Sequence, residues 1–204
     1  MMEILVAFLL GTFFSFIGSI PPGTLNLSVL QLGLEGKVKT ALRFALAVSI
    51  IEYPYTWIGV EFESWITSSP MVIENFQLIT AVVMVAIGVL NLWSAEKPTN
   101  FSLKFSESGF RRGLILSILN PMAIPFWIGV TAYLKAQGWL DLSSVWLLHS
   151  YILGTSVGAM ILLTLFALLA KKLARYIKNS KMVKRIPGFT LLVLGIYAFI
   201  KYLF

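Results

Sequence analysis

Hydrophobic and polar positions do not alternate along this chain. The apolar residues come in long runs, and the polar ones collect between them. The runs cover roughly 4–34, 44–60, 76–94, 112–134, 144–169 and 187–204. Each is long enough to cross a bilayer as a helix, the last only just. The first run, Ile4 to Leu34, contains no charged residue, and as one straight helix it would reach about 46 Å against a hydrocarbon core of about 30 Å. One straight span is too long, and Gly18-Ser19-Ile20-Pro21-Pro22-Gly23-Thr24-Leu25-Asn26 marks where it breaks. Proline removes a backbone donor and restricts the residue before it, and glycine permits the conformations that finish a helix. The fourth run is interrupted in the same way, at Ser117-Ile118-Leu119-Asn120-Pro121-Met122-Ala123-Ile124-Pro125.

Composition agrees with this pattern. At 58% hydrophobic and 12% charged, with a mean hydropathy of +0.86, the chain does not have the polar surface of a soluble domain. Continuous apolar runs also exclude an outer-membrane barrel, whose strands alternate. With no cysteine there is no disulfide scaffold and no thiolate metal site, and a single histidine, His149, argues against a histidine-rich metal transporter. The sequence shows no cofactor motif and no nucleophile paired with a base, so no enzyme is expected. The amino end, Met-Met-Glu, lacks the basic start and small-residue cleavage site of a removable signal peptide.

The net charge of +7 resembles that of a nucleic-acid binder until the basic residues are placed. Fourteen of the sixteen Lys and Arg fall in 36–43, 95–112 and 171–185, the first, third and fifth loops. The second loop, 61–75, holds Glu61, Glu63 and Glu74 and no basic residue. Positive loops face the cytoplasm, which predicts both termini outside and no nucleic-acid partner. Residues 171–185 suit anionic lipid headgroups. Three spans per half is an odd number, so the halves, about 1–95 and 108–204, run oppositely through the membrane. The expectation is an all-α polytopic membrane protein: six transmembrane segments in two inverted three-helix repeats, with proline-broken first and fourth segments. Broken helices in lipid need protein or a wet cavity around them, so Pro21, Pro22, Gly23 and Pro121 would line a central site. Pro121 lies only nine residues beyond Arg112, so Arg111 and Arg112 either snorkel or line a cavity, or the two breaks sit at different depths.

Few residues can carry chemistry at that depth. Glu52 is the single acid in the middle of a span. A carboxylate at the bilayer centre costs about 2.5–3.5 kcal/mol on insertion scales, so it faces a cavity, finds a partner or takes a proton. It is the candidate proton-coupling group, the alternative being a structural carboxyl near Pro54. Helical spacing puts Ser49, Tyr55, Thr56 and Gly59 on its side. Asn26 and Asn120 lie beside the two breaks and can either bind a polar solute or satisfy carbonyls freed by the prolines. Helix starts near Gly23 and Met122 would favour an anionic group such as an amino acid's carboxylate. Small residues spaced by four, at Gly11, Ser15 and Ser19, at Ala41, Ala45 and Ser49, and at Gly154 and Gly158, mark close helix contacts. Trp57, Trp65, Trp93, Trp139 and Trp146 lie near segment ends as interfacial anchors; His149 lies there too, its role open.

At these residues the chain resembles the LysE-type family of amino-acid exporters, the group of lysine, homoserine and threonine efflux-like transporters. The likeness rests on Pro22-Gly23, on Glu52 and on Asn120-Pro121, and extends over nearly the whole chain. Thr24 stands where the family usually has a second proline, and Glu52 where it commonly has the shorter Asp. The resemblance implies a secondary exporter of amino acids or similar small polar metabolites in a bacterial inner membrane, driven by protons and using no cofactor. Homo-oligomers remain open. So do two other readings: export of a metal or inorganic cation, which would require several clustered intramembrane ligands, and a membrane scaffold or accessory subunit without transport.

Overall fold

The computed structural model describes residues 2–20, 23–68, 108–120 and 122–173, with single positions between 78 and 89 and between 189 and 200. Among the described residues the secondary structure is helical, with no strand. Seven helices follow in order: α1 (Met2–Gly18), α2 (Thr24–Leu34), α3 (Val38–Ser68), α4 (Gly109–Ile118), α5 (Ala123–Ala136), α6 (Val145–Leu168) and the single turn α7 (Ala170–Leu173). α6 is both long and apolar enough to cross a bilayer alone, and α4 with α5 passes the same test as a pair bent by 66°.

The helix ends follow the local sequence. Gly23 and Met122 are the caps from which α2 and α5 start, as expected. Pro21, Pro22 and Pro121 lie outside the described residues. Both half-helices stop in the same way. After α2, Gly36 adopts φ +73°, its N–H donating to Gly33 and that of Lys37 to Leu32. After α5, Gly138 adopts φ +68°, its N–H donating to Lys135 and that of Trp139 to Leu134. These are paired Schellman closures, and each requires the left-handed backbone that glycine adopts without strain. Ser144 caps α6, its hydroxyl accepting from Trp146 N–H, so the fifth run, 144–169, becomes the helix Val145–Leu168 almost unchanged.

The second segment departs from expectation. Instead of ending near 60 it runs on as helix to Ser68, so Glu61 and Glu63 belong to α3 rather than to a loop. Pro54 sits inside this helix without ending it.

The chain divides into two compact units, Met1–Glu63 with Phe101–Tyr176, and Ser64–Asn100 with Ile177–Phe204. In the first, α1 lies along α6 through glycines. A methyl group on Gly11 would sit 2.2 Å from the Tyr151 carbonyl oxygen, one on Gly154 2.2 Å from that of Phe8, and one on Gly158 2.3 Å from that of Thr12. The small-residue faces therefore do what their spacing predicts: they let backbones touch, which in lipid replaces the missing hydrophobic drive. Gly109 and Gly113 press α4 in the same way onto the Thr40 and Phe44 carbonyls of α3. In the second unit Gly195 packs on Ala81 and Val85, so the third and sixth runs meet at a glycine. Gly88, its expected counterpart, lies outside the described residues.

Side-chain size is distributed in the reverse of a soluble helix. On α1 the small Ala7, Gly11 and Ser15 are buried while Leu5, Leu9, Phe13 and Ile17 are exposed. On α3, Ala41, Ala45, Ser49, Thr56 and Glu63 are buried, and Leu46, Ile50, Ile58 and Phe62 face out. Such a surface suits hydrocarbon, while larger apolar side chains such as Phe44, Val60, Trp127 and Tyr151 fill the interior beside the buried polar groups.

Candidate functional site

The inward stripe of α3 is the spine of the site. Ser49, Glu52, Thr56, Gly59 and Glu63 follow one another at three- and four-residue steps, so they share a face. Each meets a different neighbour. Ser49 donates to the Ser156 carbonyl on α6 at 2.7 Å. The Thr56 hydroxyl pairs with that of Thr155 at 2.9 Å, also on α6, and is 2.9 Å from the Glu52 carbonyl. Gly59 receives Trp127 of α5, whose Cβ would lie 2.7 Å from a methyl there.

Glu52 is partly buried, and its carboxylate accepts a 2.6 Å hydrogen bond from the Trp127 indole N–H. Trp127 is itself fully buried, edge-on to Phe126 and Tyr151. The acid thus reaches from α3 to the first turns of the helix that follows the second break. Its partner is an indole rather than a neighbouring serine, tyrosine or backbone group of α3.

The end of α1 lies against the first turn of α5. Gly18, at the end of α1, abuts the ring of Phe126 in the first turn of α5. Asn26 is buried, and its amide reaches back across the first break to donate to the Ser19 carbonyl. Asn120 accepts from Met122 N–H at 3.2 Å across the second break. Tyr55 donates at 2.7 Å to the carbonyl of Ile118, the last residue of α4. The expected site residues on α3 and at the second break therefore come together. Asn26 and Asn120 both serve carbonyls or amides left open where helices end.

Further groups gather here, among them Arg112, for which a cavity-facing position was one of the expected alternatives. About 16 Å along α3 from Glu52, Glu63 is 2% exposed and accepts from Lys135 Nζ of α5 at 2.7 Å. His149 Nδ1 pairs with the Tyr53 hydroxyl at 2.7 Å and its ring lies edge-on to Trp57. Arg112 turns inward, buried, while Arg111 stays exposed. The hydroxyls of Ser15, Ser117 and Ser156 are buried without a hydrogen-bond partner. Trp127 had a signal: it lies within an apolar run, where a buried indole N–H demands an acceptor. Glu63 had one too, lying eleven residues from Glu52 on the same face. Among the described residues no group of three or more His, Cys, Asp or Glu could hold a metal ion.

The described helices have apolar outer faces and carry buried polar groups among a largely apolar interior. The family model of the LysE type translocators matches residues 16–202. The chain belongs to that family, and with it to the membrane proteins that move small-molecule solutes. No curated protein and no solved structure matches the chain.

Proposed function

We propose that this protein is a proton-coupled exporter of amino acids or related small polar metabolites, working by alternating access. The observation that carries this reading is the Glu52–Trp127 hydrogen bond. It joins the one acid in the middle of α3 to the helix after the second break, beside the place where Gly18 meets Phe126. An ionised carboxylate accepts from the indole far more strongly than a neutral acid does. Loading a proton on Glu52 would loosen α5, and releasing it would draw α5 back. The solute would sit between the breaks, against Ser49, Tyr55, Thr56, Asn26 and Asn120, with Pro21, Pro22, Gly23 and Pro121 shaping the backbone around it. For that the asparagines would exchange their present partners, Ser19 and Met122, for the solute.

The matched Schellman closures at Gly36 and Gly138 support two repeats, about 1–95 and 108–204, inverted across a bacterial inner membrane with three spans each. The basic ends of α2, α3 and α4 would then face the cytoplasm, both chain termini the outside, and lipids the apolar flanks. A proton moving down 100 mV supplies about 2.3 kcal/mol, enough to sustain a gradient of a few tens-fold.

Efflux from proteoliposomes loaded with labelled amino acids, measured from pH 5.5 to 8.5, tests the reading. Wild type should show pH-dependent efflux driven by an imposed proton gradient. Glu52→Gln should lose that dependence and at least tenfold in rate. Unchanged efflux and unchanged pH profile in Glu52→Gln would remove Glu52 from the coupling step.

A further inference from the structure

We infer that Arg112 and Ser28 form an oxyanion site between α4 and α2 that takes the carboxylate of the transported solute as it enters. The inference rests on the transport reading, though not on Glu52. Arg112 is 6% exposed. Its guanidinium carries five N–H donors in a fixed fork, and the structure supplies one protein acceptor, Ser28 Oγ, 3.2 Å from Nη2. The Nε is buried with no partner. A buried cation left this open is a costly arrangement, since buried charges are ordinarily paired.

Glu35, the described acid whose charge acts on Arg112 through space, makes its direct bonds elsewhere. Glu35 binds Lys37 Nζ at 2.8 Å and accepts from Gln31 at 3.0 Å. Those bonds, that to Lys37 above all, hold its carboxyl below the usual carboxylate range. Arg112 is also held in place. Gly109 and Gly113, on either side of it in α4, are pressed against the Thr40 and Phe44 carbonyls, so α4 cannot rotate to turn the guanidinium outward. What is missing is a planar pair of oxygens facing the fork, and a carboxylate supplies it.

Position selects among oxyanions. Ser28 lies about 9 Å in from the end of α2, whereas Lys37, Lys39, Arg43 and Arg111 are exposed at that end of the helices. A phospholipid phosphate meets the exposed residues first. The buried fork suits a solute small enough to pass between α2 and α4 on its way to the breaks.

Thermal unfolding of the purified full chain in a zwitterionic detergent is the test. The probes are the twenty L-amino acids, their carboxamides and the matching carboxylic acids without the amine. At least one amino acid should raise the melting temperature while its carboxamide does not. Arg112→Gln should abolish that difference and weaken half-saturation at least tenfold, Arg112→Lys should retain part of it, and Ser28→Ala should weaken it a few-fold. The inference is overturned if no acid stabilises wild type, or if the acid-over-amide preference survives in Arg112→Gln. It is equally overturned if phosphatidylglycerol, and no free acid, gives the Arg112-dependent stabilisation. Should Arg112→Gln not fold, unchanged half-saturation in both Arg112→Lys and Ser28→Ala overturns it. Stabilisation by acids lacking the amine as strongly as by amino acids would revise the solute class and leave Arg112 in place. A failed Glu52 role would appear only in the pH profile of efflux.

Discussion

The two interrupted segments are built alike and fastened differently. Around the first break the chain repairs itself: Asn26 of α2 donates to Ser19, a few residues upstream in the same segment. Its helix α1 then lies on α6 through glycine-to-carbonyl contacts. Around the second break α3 does the fastening. Tyr55 takes the last carbonyl of α4, Glu52 holds Trp127, and Glu63 holds Lys135 near the far end of α5. Close backbone packing is short-ranged and has no charge state, so the first segment is suited to move as one body with α6. Hydrogen bonds to carboxylates change with a proton, so on the proposed reading the second segment is the one that protonation would release. Two similar breaks can therefore serve as an anchor and a moving part.

The largest expected effect comes from attacking the anchor. Gly154→Leu puts a side chain where a methyl already lies 2.2 Å from the Phe8 carbonyl. Backbone cannot yield there as a side chain would, so the loss should be about 3 kcal/mol or more. Little monodisperse protein should survive size-exclusion chromatography. Gly129→Ala on α5, with nothing within 4 Å, should behave as wild type. If Gly154→Leu folds normally, the glycine seam is not what holds α1.

The far fastening of α5 comes next. Glu63→Gln removes the ion pair with Lys135, and since Lys135 is 35% exposed the cost should be about 1–3 kcal/mol, below that of a fully buried pair. Glu63→Gln with Lys135→Met should recover most of the lost melting temperature. A double variant no better than the single one would mean that the pair is not the source of the loss.

The sharpest and smallest comparison sets Asn26→Ala against Tyr55→Phe. Asn26→Ala removes the bond to Ser19 and Tyr55→Phe the bond to Ile118, each bond worth about 1 kcal/mol. Asn26→Ala empties a buried side-chain position and leaves a part-buried carbonyl unserved, so it should lower the melting temperature more. Tyr55→Phe should alter the efflux rate more than stability, because it frees the end of α4. Equal effects on both measurements would erase the distinction between the two segments.

Much of the helical plan could be read along the chain. Proline and glycine act on their own backbone, so the starts at Gly23 and Met122 were legible, as were the ends of α6. Close-contact faces at Gly11, Gly154 and Gly158 were legible because helical spacing alone puts small residues on one side. Local reading went astray at Glu61 and Glu63. Two acids in a short stretch look like a solvated loop until a lysine 72 residues away is brought to one of them. Arg112 was legible only as one of several alternatives, since a cation near Pro121 could snorkel or line a cavity, and the glycine contacts of α4 hold it inward.

Sequence alone determined what each residue does to its own few neighbours: where helices break, which faces are small, and that Glu52 sits deep in an apolar run. Only the tertiary structure decided which groups meet across helices. Trp127 rather than a serine takes Glu52, Tyr55 serves the second break, and Gly18 at the end of α1 meets Phe126 in the first turn of α5. The reason is physical. Backbone restriction and helical period are local properties, whereas the partner of a buried donor or charge depends on packing between segments far apart in the chain.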